Sequence, residues 1–308
     1  MVERCAIVAI IGAPNAGKST LVNQLVGEKV AIVTHKVQTT RFPLRGVALR
    51  GEAQLILVDT PGVFQPKRRL DRAMVRAAFG ALEDADLVVH VVDAAAQARE
   101  QQSAADKHSV EDAQRIVDHL KQANVRAILA LNKVDSMPRE ALLAATKTLF
   151  EEGVYSDVFM ISAAKGDGVG DLADALASRA PEGPWLFPED QAADAPARVR
   201  AAEITREKLM LRLHDELPYE ATVETEAWEQ KKDGSVRIEQ TIYVTRESQR
   251  KIAIGEGGQT VKAIGQAARK EIGDMIGAPA HLFLHVKVRE NWSDERARFD
   301  ALGLDFDD

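Results

Sequence analysis

The first 180 residues alternate between short apolar runs and longer segments of mixed polarity. The apolar runs are rich in Val, Ile, Leu and Ala and occupy residues 5–11, 53–62, 86–94, 125–135 and 157–166. Continuous apolar runs of this length predict strands buried on both faces, whereas the spacing in segments such as 19–26 and 170–179 predicts helices. Strands that alternate with helices indicate an α/β domain whose mostly parallel sheet is covered by helices on both faces.

A proline-rich stretch interrupts this pattern. Residues 180–197 contain Pro181, Pro184, Pro188 and Pro196 among scattered acidic residues. Such a composition predicts a linker or an extended brace. The aromatic residues at positions 185 and 187 indicate that part of the stretch packs against a domain. We therefore predict a first domain at residues 1–180, a linker at 181–197 and a second domain at 198–308.

The second domain has a different order of elements. Residues 198–217 are amphipathic and predict a helix that Pro218 ends. Two strands follow at 219–230 and 235–245, and residues 232–234 supply the turn between them. A helix, a glycine-rich loop and a second helix then lead to a last strand at 281–290. The predicted order α-β-β-α-α-β describes a smaller α+β domain.

Composition narrows the classes of function. The chain has 308 residues, 45% hydrophobic and 28% charged, which is typical of a globular protein with two domains. No apolar run approaches the roughly 18 residues of a membrane-spanning helix, and the N-terminus lacks the features of a signal peptide. Cys5 is the only cysteine, so a disulfide framework is excluded and a reducing cytoplasm is expected. The net charge of −7 argues against nucleic-acid binding over the whole surface, which leaves local charge to decide.

The first apolar run leads into a phosphate-binding motif. Residues 12–19 read GAPNAGKS and match the pattern G-x-x-x-x-G-K-[ST] between a strand and a helix. The glycines let the loop amides surround phosphate groups, and the N-terminus of the helix points at them. We expect Lys18 to contact the β- and γ-phosphates and Ser19 to bind Mg²⁺. The alternative is a glycine-rich turn with a chance lysine, and the flanking strand and helix argue against it.

The second apolar run ends in an acidic residue. Asp59 is followed by Thr-Pro-Gly, and the carboxyl end of a buried strand is where α/β sheets bind ligands. We expect Asp59 to hold Mg²⁺ through water. Gly62 offers an amide that can approach the γ-phosphate and a hinge for the segment after it. A DTPG sequence alone is an ordinary turn, and its place after the phosphate loop makes it more specific.

The fourth apolar run ends in NKVD at residues 132–135, which predicts a preference for guanine. A carboxylate at Asp135 accepts hydrogen bonds from the guanine N1–H and 2-amino group, a donor pair that adenine lacks. We expect Asn132 to brace the loop or contact the base, and the stem of Lys133 to lie over the ring. The small residues at 162–164 let backbone amides reach the guanine carbonyl.

The motifs GAPNAGKS, QTTR, DTPG, NKVD and SAAKG together resemble those of a translation-factor-class GTPase. The forms GxPNxGKS and QTTR are similar to the TrmE-Era-EngA branch of that class. This resemblance implies a phosphate-loop GTPase fold that binds GTP or GDP with Mg²⁺. It also implies that Thr40 meets Mg²⁺ when the γ-phosphate is present, with Thr39 as the alternative. The second switch would then run from residue 62 to about residue 70.

One position departs from the Ras-like pattern. Val63 follows Gly62 where Ras-like enzymes carry the glutamine that orients water, so slow intrinsic turnover is expected. In related GTPases, an asparagine at the position of Asn15 helps to bind K⁺. We hold K⁺ activation through Asn15 as a hypothesis, and the alternative is an asparagine that only caps the loop.

The glycine-rich loop of the second domain reads GEGG at residues 255–258 and fits the G-x-x-G clamp of a type II KH domain. In such a clamp, backbone amides and helix ends meet the nucleic-acid backbone. Residues 246–289 carry eight basic and four acidic side chains, a modest basic surface within an acidic protein. Glu256 departs from the favourable pattern and implies that base contacts and shape contribute more. The alternative is a structural module that binds no RNA.

A GTPase of this branch followed by a type II KH domain resembles the Era family, including residues 214–220 and 286–292. The resemblance implies a GTP-switched assembly factor of the small ribosomal subunit that binds small-subunit (16S) rRNA near its 3′ end. It also implies peripheral contact with the inner membrane, although the sequence shows no anchor. A monomer is expected. Two alternatives stay open: a tRNA-modification GTPase and a nucleotide-switched binding module with negligible turnover.

The predicted site residues fall into four groups. The catalytic group is Lys18, Thr40, Gly62 and Asn15, and the Mg²⁺ group is Ser19, Thr40 and Asp59. The GTP-binding group is Gly12, Ala13, Pro14, Asn15, Ala16, Gly17, Lys18, Ser19, Thr20, Asp59, Thr60, Pro61, Gly62, Val63, Asn132, Lys133, Val134, Asp135, Ser162, Ala163 and Ala164. The RNA-binding group is Arg250, Lys251, Ile254, Gly255, Glu256, Gly257, Gly258 and Lys262.

Overall fold

A computed structural model describes residues 2–99, 101–214 and 217–306. The chain divides into two compact units, Met1–Asp194 with Leu302–Asp308, and Ala195–Ala301. The strands of the first unit are β1 (Arg4–Gly12), β2 (Leu44–Arg50), β3 (Ala53–Asp59), β4 (Leu87–Asp93), β5 (Ala127–Asn132) and β6 (Tyr155–Met160). Its helices are α1 (Lys18–Val26), α2 (Arg69–Gly80), α3 (Ala94–Ala98), α4 (Ala104–Ala123), α5 (Arg139–Phe150) and α6 (Val169–Arg179). Over the ranges described, no helix combines the length and the apolar character needed to cross a membrane.

A six-stranded sheet with the order β2-β3-β1-β4-β5-β6 forms the centre of the first unit. All neighbouring strands are parallel except β2, which runs antiparallel to β3. The predicted mostly parallel sheet is thereby confirmed. The chain moves to β3 on one side of β1 and then to β4 on the other side. A crevice opens at the carboxyl ends of the strands where the order reverses in this way, and the loop after β1 lies there.

The side chains of β1 enter two separate hydrophobic cores. Val8 and Ile10 belong to one core, and Ala9 and Ile11 belong to the other. Successive side chains of a strand point to opposite faces of the sheet, so both faces are covered by apolar groups. This arrangement accounts for the uninterrupted apolar run in the sequence.

The proline-rich segment lies along the first unit. The Gln54 side chain accepts hydrogen bonds from the amides of Leu186 and Phe187 at 2.8 and 3.0 Å. It also donates to the Phe187 carbonyl at 2.8 Å. The indole of Trp185 donates to the Glu52 carbonyl at 3.2 Å. The packing predicted from the two aromatic residues is confirmed.

The second unit confirms the predicted order α-β-β-α-α-β and adds a short C-terminal helix. Its strands are β7 (Ala221–Gln230), β8 (Val236–Val244) and β9 (Ala280–Val288), and its helices are α7 (Ala197–Arg212), α8 (Glu247–Ile254), α9 (Gln259–Ile276) and α10 (Arg296–Leu302). The sheet order is β7-β8-β9, with β7 antiparallel and β9 parallel to β8. Because β9 is the last strand in this order, it forms an edge of the sheet.

The first helix of the second unit is shorter than the sequence predicts. It ends at Arg212, and Leu213 already has an extended backbone with φ −92° and ψ 153°. Leu213 and Leu217 are both buried in one hydrophobic core. The prediction of a helix as far as Leu217 was therefore wrong over its last turn, of which residues 215 and 216 lie outside the described ranges. Leu213 and Leu217 have helical spacing in the sequence, but they reach the core from the segment that follows the helix.

Candidate functional site

Loops at the carboxyl ends of the strands enclose a cavity of about 590 Å³ in the first unit. It brings together the phosphate loop, the segment before β2, and the loops after β3, β5 and β6. Its lining residues are Pro14, Asn15, Gly17, Lys18, Ser19, Thr20, Ile32, Val33, Thr34, His35, Gln38, Thr39, Thr40, Gly62, Asn132, Lys133, Asp135, Ser136, Ser162 and Ala164. Motifs that are far apart in the sequence therefore share one site.

The phosphate loop is closed around its own lysine. Lys18 is buried, and its ammonium donates to the carbonyls of Gly12 and Ala13 at 3.0 and 2.9 Å. Gly17 caps the N-terminus of α1 with φ 100°, a conformation that favours glycine. A Cβ atom at Gly17 would lie 2.1 Å from Nδ2 of Asn132. The glycine is thus required both by its backbone conformation and by the close approach of the loop after β5.

Burial shifts the pKa values of two charged groups in this loop in opposite directions. Burial lowers the pKa of Lys18 to about 8, against the attraction of the Asp59 carboxylate. Burial also raises the pKa of Asp59, against hydrogen bonds from Ser19 and Thr40 and the charge of Lys18. Both shifts express the cost of keeping a charge away from water. A bound anion on one side and a cation on the other would offset that cost.

Three predicted metal ligands converge beside the phosphate loop. The hydroxyl of Ser19 lies 2.7 Å from Oδ2 of Asp59 and 3.0 Å from the hydroxyl of Thr40. Thr40 donates to the same Asp59 oxygen at 3.1 Å. The other carboxylate oxygen of Asp59 is buried without a hydrogen-bond partner in the described part of the chain. Oxygen ligands of this kind suit Mg²⁺, which keeps several waters and is completed by phosphate oxygens, so the residues fit the ion.

The two threonines of the QTTR motif have different surroundings. Thr40 points at Ser19 and Asp59, as described above. The hydroxyl of Thr39 instead lies 2.6 Å from that of Thr34 and donates to the Lys36 carbonyl at 2.8 Å. The geometry therefore favours Thr40 over Thr39 as the switch threonine.

Asn132 holds three loops together at the base end of the cavity. Its side-chain amide donates to the Ala16 carbonyl at 2.8 Å and accepts from the Ala163 amide at 2.9 Å. Of the two roles expected for Asn132, these contacts support bracing. Because the Ala163 amide is already used, Ala164 remains as the residue whose amide can meet a guanine carbonyl.

Two ion pairs fix the NKVD loop. Lys133 has a left-handed backbone with φ 65°, and its ammonium lies 2.6 Å from a carboxylate oxygen of Asp93. Asp135 lies 3.2 Å from the ammonium of Lys165. The Ser162 hydroxyl and the Lys165 ammonium lower the pKa of Asp135, so this carboxylate is ionised at neutral pH.

Several predicted nucleotide-site residues are not among those that line the cavity. Thr60 is fully buried and donates to the Ile10 carbonyl at 2.8 Å. The Val63 side chain is buried in the hydrophobic core, and its amide donates to the Gly12 carbonyl at 3.1 Å. The other members of this group are Gly12, Ala13, Ala16, Asp59, Pro61, Val134 and Ala163. Thr60 and Val63 therefore fix the shape of the loops, and the roles expected for the other members, including Asp59 as a Mg²⁺ ligand, stay predictions.

The cavity also includes residues that the sequence prediction missed. They are Ile32, Val33, Thr34, His35, Gln38 and Ser136. The QTTR motif before β2 was recognised, but nothing in the pattern around it distinguished the residues that face the nucleotide cavity. Asn15 contacts this segment, since its side-chain amide donates to the His35 carbonyl at 3.2 Å.

The predicted clamp of the second unit is a tight turn between α8 and α9. Gly255, Gly257 and Gly258 have φ values of 76°, 56° and 78°. A Cβ atom at Gly255 would lie 2.3 Å from the Thr260 hydroxyl, whereas one at Gly257 would meet no heavy atom within 4 Å. Gly255 therefore shapes the turn, and Gly257 leaves open space in front of the backbone.

A groove of about 320 Å³ lies between α9 and β9, and sequence reasoning identified only one of its residues. Its lining residues are Val261, Lys262, Gly265, Gln266, Arg269, Leu282 and Leu284. Gly265 lets α9 lie close to β9, because a Cβ atom at this position would lie only 3.3 Å from the Leu284 side chain. The predicted RNA ligand Arg250 has structural contacts, donating to the Val286 carbonyl at 3.2 Å and to Glu247 at 2.8 Å.

Family models match both units of the chain. The model described as 50S ribosome-binding GTPase matches residues 7–133, and the model described as KH domain matches residues 216–293. The chain is 62% identical to the GTPase Era of Caulobacter vibrioides over 99% of its own length and 97% of the relative. It is 58% identical to the GTPase Era of Maricaulis maris, over 99% of this chain and 98% of the relative.

Solved structures resemble nearly the whole chain. A variant of Era from Aquifex aeolicus, bound to GDP and AlF₄⁻, is 34% identical with a TM-score of 0.88, covering 97% of this chain and 99% of that one. Era in complex with MgGDPNP and nucleotides 1506–1542 of 16S ribosomal RNA is 35% identical with a TM-score of 0.88. That match covers 98% of this chain and 99% of that one.

Proposed function

The chain belongs to the Era family of GTPases, and from this premise we propose that it is a GTP-switched assembly factor of the small ribosomal subunit that binds 16S rRNA near its 3′ end. The reaction of the family is hydrolysis of GTP to GDP and phosphate. The observation that carries the proposal is a guanine-type nucleotide cavity and a G-x-x-G clamp with its groove on one chain. Relatives that match nearly the full chain argue against a tRNA-modification GTPase.

The residues of the cavity divide the work on GTP. Lys18 and the loop amides would bind the β- and γ-phosphates, and Asp135 would read the guanine. Ser19, Thr40 and Asp59 would hold Mg²⁺, which when bound neutralises charge on the phosphates. The Gly62 amide would meet the γ-phosphate. A Cβ atom there would lie 2.9 Å from Pro14, so the strand end can pass this close to the phosphate loop only with glycine.

Slow intrinsic turnover is consistent with the position of Val63. Its side chain is 1% exposed and packs in a hydrophobic core, so it neither faces the cavity nor orients water. We propose that Asn15 assists by binding K⁺ near the phosphates. Asn15 lines the cavity, and its side-chain nitrogen donates to the His35 carbonyl, so its side-chain oxygen is the atom that would meet the ion.

The RNA-binding part of the proposal rests on the clamp and the groove. The open backbone at Gly257 and the basic side chains of Lys262 and Arg269 can follow a nucleic-acid backbone, while Leu282 and Leu284 offer apolar contacts to bases. Support comes from a solved Era that holds nucleotides 1506–1542 of 16S rRNA. We propose that residues 1–180, 181–197 and 198–308 act as GTP-binding domain, linker and RNA-binding domain.

The test is a binding series with RNA of nucleotides 1506–1542 of 16S rRNA at stated salt, because phosphate contacts make such affinities salt-dependent. The change Gly257→Asp adds a negative charge in the open space of the clamp and should weaken RNA binding at least about tenfold. GTP affinity without RNA checks that the first unit is intact. Undiminished RNA affinity in this variant would remove the clamp from the proposal.

Cellular location and assembly state are further parts of the proposal, and the family resemblance alone supports them. We propose a cytoplasmic monomer that contacts the inner membrane peripherally. Sedimentation of the purified chain with vesicles of anionic lipid checks the membrane contact. Light scattering checks the monomer.

A further inference from the structure

The outer face of the second unit's sheet carries an exposed aromatic ring that neither the clamp nor the groove uses. Phe283 on β9 is 47% exposed. Side chains alternate along this strand, so Leu282 and Leu284 line the groove under α9 while Phe283 points to the opposite face. We propose that this outer face is a second contact surface for single-stranded RNA, on which a base stacks against Phe283. The inference rests on the proposed RNA binding of the second unit.

The ring has the partners of a base-stacking platform. The guanidinium carbon of Arg237 lies 5.0 Å from the centroid of the Phe283 ring. The register of β8 and β9 places Arg237 beside His281. His281 lies two residues before Phe283 and therefore on the same face of the sheet. Exposed aromatic rings flanked by planar cationic groups accept bases of any sequence, because every base has a π-face.

A hollow beside the ring supplies positive charge. It has a volume of about 760 Å³ and lies between the β7–β8 turn and β9. Its lining residues are Glu229, Gln230, Lys231, Lys232, Asp233, Ser235, Arg237, His281 and Phe283. A base on the ring would therefore have its phosphate near Lys232, the neighbour of Lys231 in the turn.

The acidic groups of the hollow already have partners. Glu229 pairs with Lys231 at 2.8 Å, and Asp233 accepts hydrogen bonds from the amide and hydroxyl of Ser235 at 3.0 and 2.6 Å. Among the residues that the structure describes, neither Lys232 nor Lys287, further along β9, forms an ion pair. Glu239, opposite Phe283 on β8, pairs with Arg237, so Lys232 and Lys287 are the cations that remain, and they favour a polyanion over a basic or neutral partner.

The opposite end of the outer face is covered by the C-terminal segment. The guanidinium carbons of Arg289 and Arg298 lie 5.4 and 6.0 Å from the centroid of the Tyr243 ring. Trp292 is buried, and its indole donates to the Glu220 carbonyl at 3.0 Å. Of the two aromatic side chains on this part of the sheet, Phe283 is therefore the one left open for a ligand.

The position of β9 connects the two surfaces. It is the edge strand of the sheet, so a chain that leaves the groove can cross its edge and reach the outer face directly. A G-x-x-G clamp holds only about four nucleotides. A longer RNA therefore needs further contacts, and the open face around Phe283 is the next surface along this route.

The experiment compares RNA fragments of increasing length, truncated from either end of nucleotides 1506–1542 of 16S rRNA, by fluorescence anisotropy at fixed salt. Phe283→Ala should lower the affinity for the longest fragment about tenfold and leave a fragment of clamp length unchanged. Phe283→Trp keeps a stacking surface and should retain the affinity. Lys232→Glu should reproduce the length-dependent loss without touching the ring.

The outcomes separate this inference from the proposed function. Equal affinities of Phe283→Ala and the unchanged protein for every fragment would overturn the second surface, as would equal losses at every length. If Phe283→Ala lost binding to anionic vesicles and kept its RNA affinity, the surface would bind lipid and the RNA proposal would be overturned. Full RNA binding by Gly257→Asp would instead remove the clamp, whatever Phe283→Ala does.

Discussion

Lys18 and Asp59 are an opposite pair of charges that the fold buries beside the phosphate loop. Each is disfavoured in its charged form by burial, and each is partly stabilised by the other. A site of this kind is completed by an anion and a cation, because both buried charges then gain partners. The two buried side chains therefore already favour nucleotide phosphate and Mg²⁺ as ligands.

We predict that, above about pH 8, Lys18 takes up a proton when GTP binds. Burial lowers the pKa of Lys18 from 10.5 to about 8, so the ammonium of the nucleotide-free protein loses its proton across this range. Phosphate stabilises the charged form, so GTP affinity should fall as pH rises above 8, by at most tenfold per pH unit. Calorimetry at pH 9 in two buffers of different ionisation enthalpy measures the uptake. Equal heats in both buffers would contradict this protonation step.

Asp135→Asn should change the base that the site prefers. The amide would repel the guanine N1–H and accept a xanthine ring instead, so GTP affinity should fall by at least about a hundredfold while a xanthosine nucleotide gains. Competition binding measures both. Asp174→Asn makes the same chemical change at an exposed ion pair with Arg50 and should leave guanine affinity unchanged. Unchanged guanine preference in Asp135→Asn would show that its role is misassigned.

K⁺ should accelerate hydrolysis through Asn15. The expectation is a higher kcat in KCl than in NaCl for the unchanged protein, because the ion supplies positive charge near the γ-phosphate. Asn15→Ala should remove that difference, and its rate in NaCl should stay near that of the unchanged protein. Equal rates in all four conditions would leave Asn15 as a loop cap bound to His35.

A buried polar pair links strands β4 and β6. His90 is fully buried in the middle of β4, and its Nδ1 lies 2.8 Å from the hydroxyl of Tyr155 on β6. The imidazole interrupts a strand that is otherwise apolar, and β5 lies between the two strands. The pair therefore fixes the alignment of three strands at the side of the sheet that carries the guanine loops.

Tyr155→Phe should lower the free energy of unfolding by about 1–3 kcal/mol, since it leaves a buried ring nitrogen without its partner. Burial lowers the pKa of His90 from 6.5 to about 3, so the unfolded chain binds a proton first. Stability should then be lost as pH falls from 6.5 towards 3. Urea denaturation at several pH values measures both effects. Tyr243→Phe, with a more exposed hydroxyl bonded to Glu226, is the matched control and should cost less.

At the scale of the whole molecule, one chain carries a nucleotide cavity and a clamp for nucleic acid in separate compact units. Coupling between them is a difference in binding free energy and must be reciprocal. Thr40 and Gly62 are the residues proposed to meet the γ-phosphate, so we expect such coupling to begin at them.

GTP and RNA should therefore change each other's affinity by the same factor. With nucleotides 1506–1542 of 16S rRNA as ligand, the ratio of RNA affinities with and without GDPNP should equal the ratio of GDPNP affinities with and without RNA. A factor of roughly 5 to 150 is typical of such coupling. Removal of Mg²⁺ with EDTA should reduce the factor, because Thr40 then loses its link to the γ-phosphate. A factor of one in both directions would show that the units act independently.

The guanine-binding motif, the phosphate loop and the clamp could all be predicted from the amino-acid sequence. These features depend on short motifs in which local spacing places the groups, and on glycines such as Gly17 and Gly257 that the backbone requires. The alternation of strands and helices in the first unit and the order α-β-β-α-α-β in the second also followed from the sequence, because apolar periodicity reflects burial directly.

The contacts between distant side chains could be identified only from the folded structure. It distinguished Thr40 from Thr39, turned Thr60 and Val63 away from the cavity, and used Asn132 to join loops 116 positions apart. It also ended α7 before Leu217 and placed Phe283 on the open face of β9. The physical reason is that side-chain direction and long-range contacts depend on how distant elements pack, which a local pattern of residue types does not record.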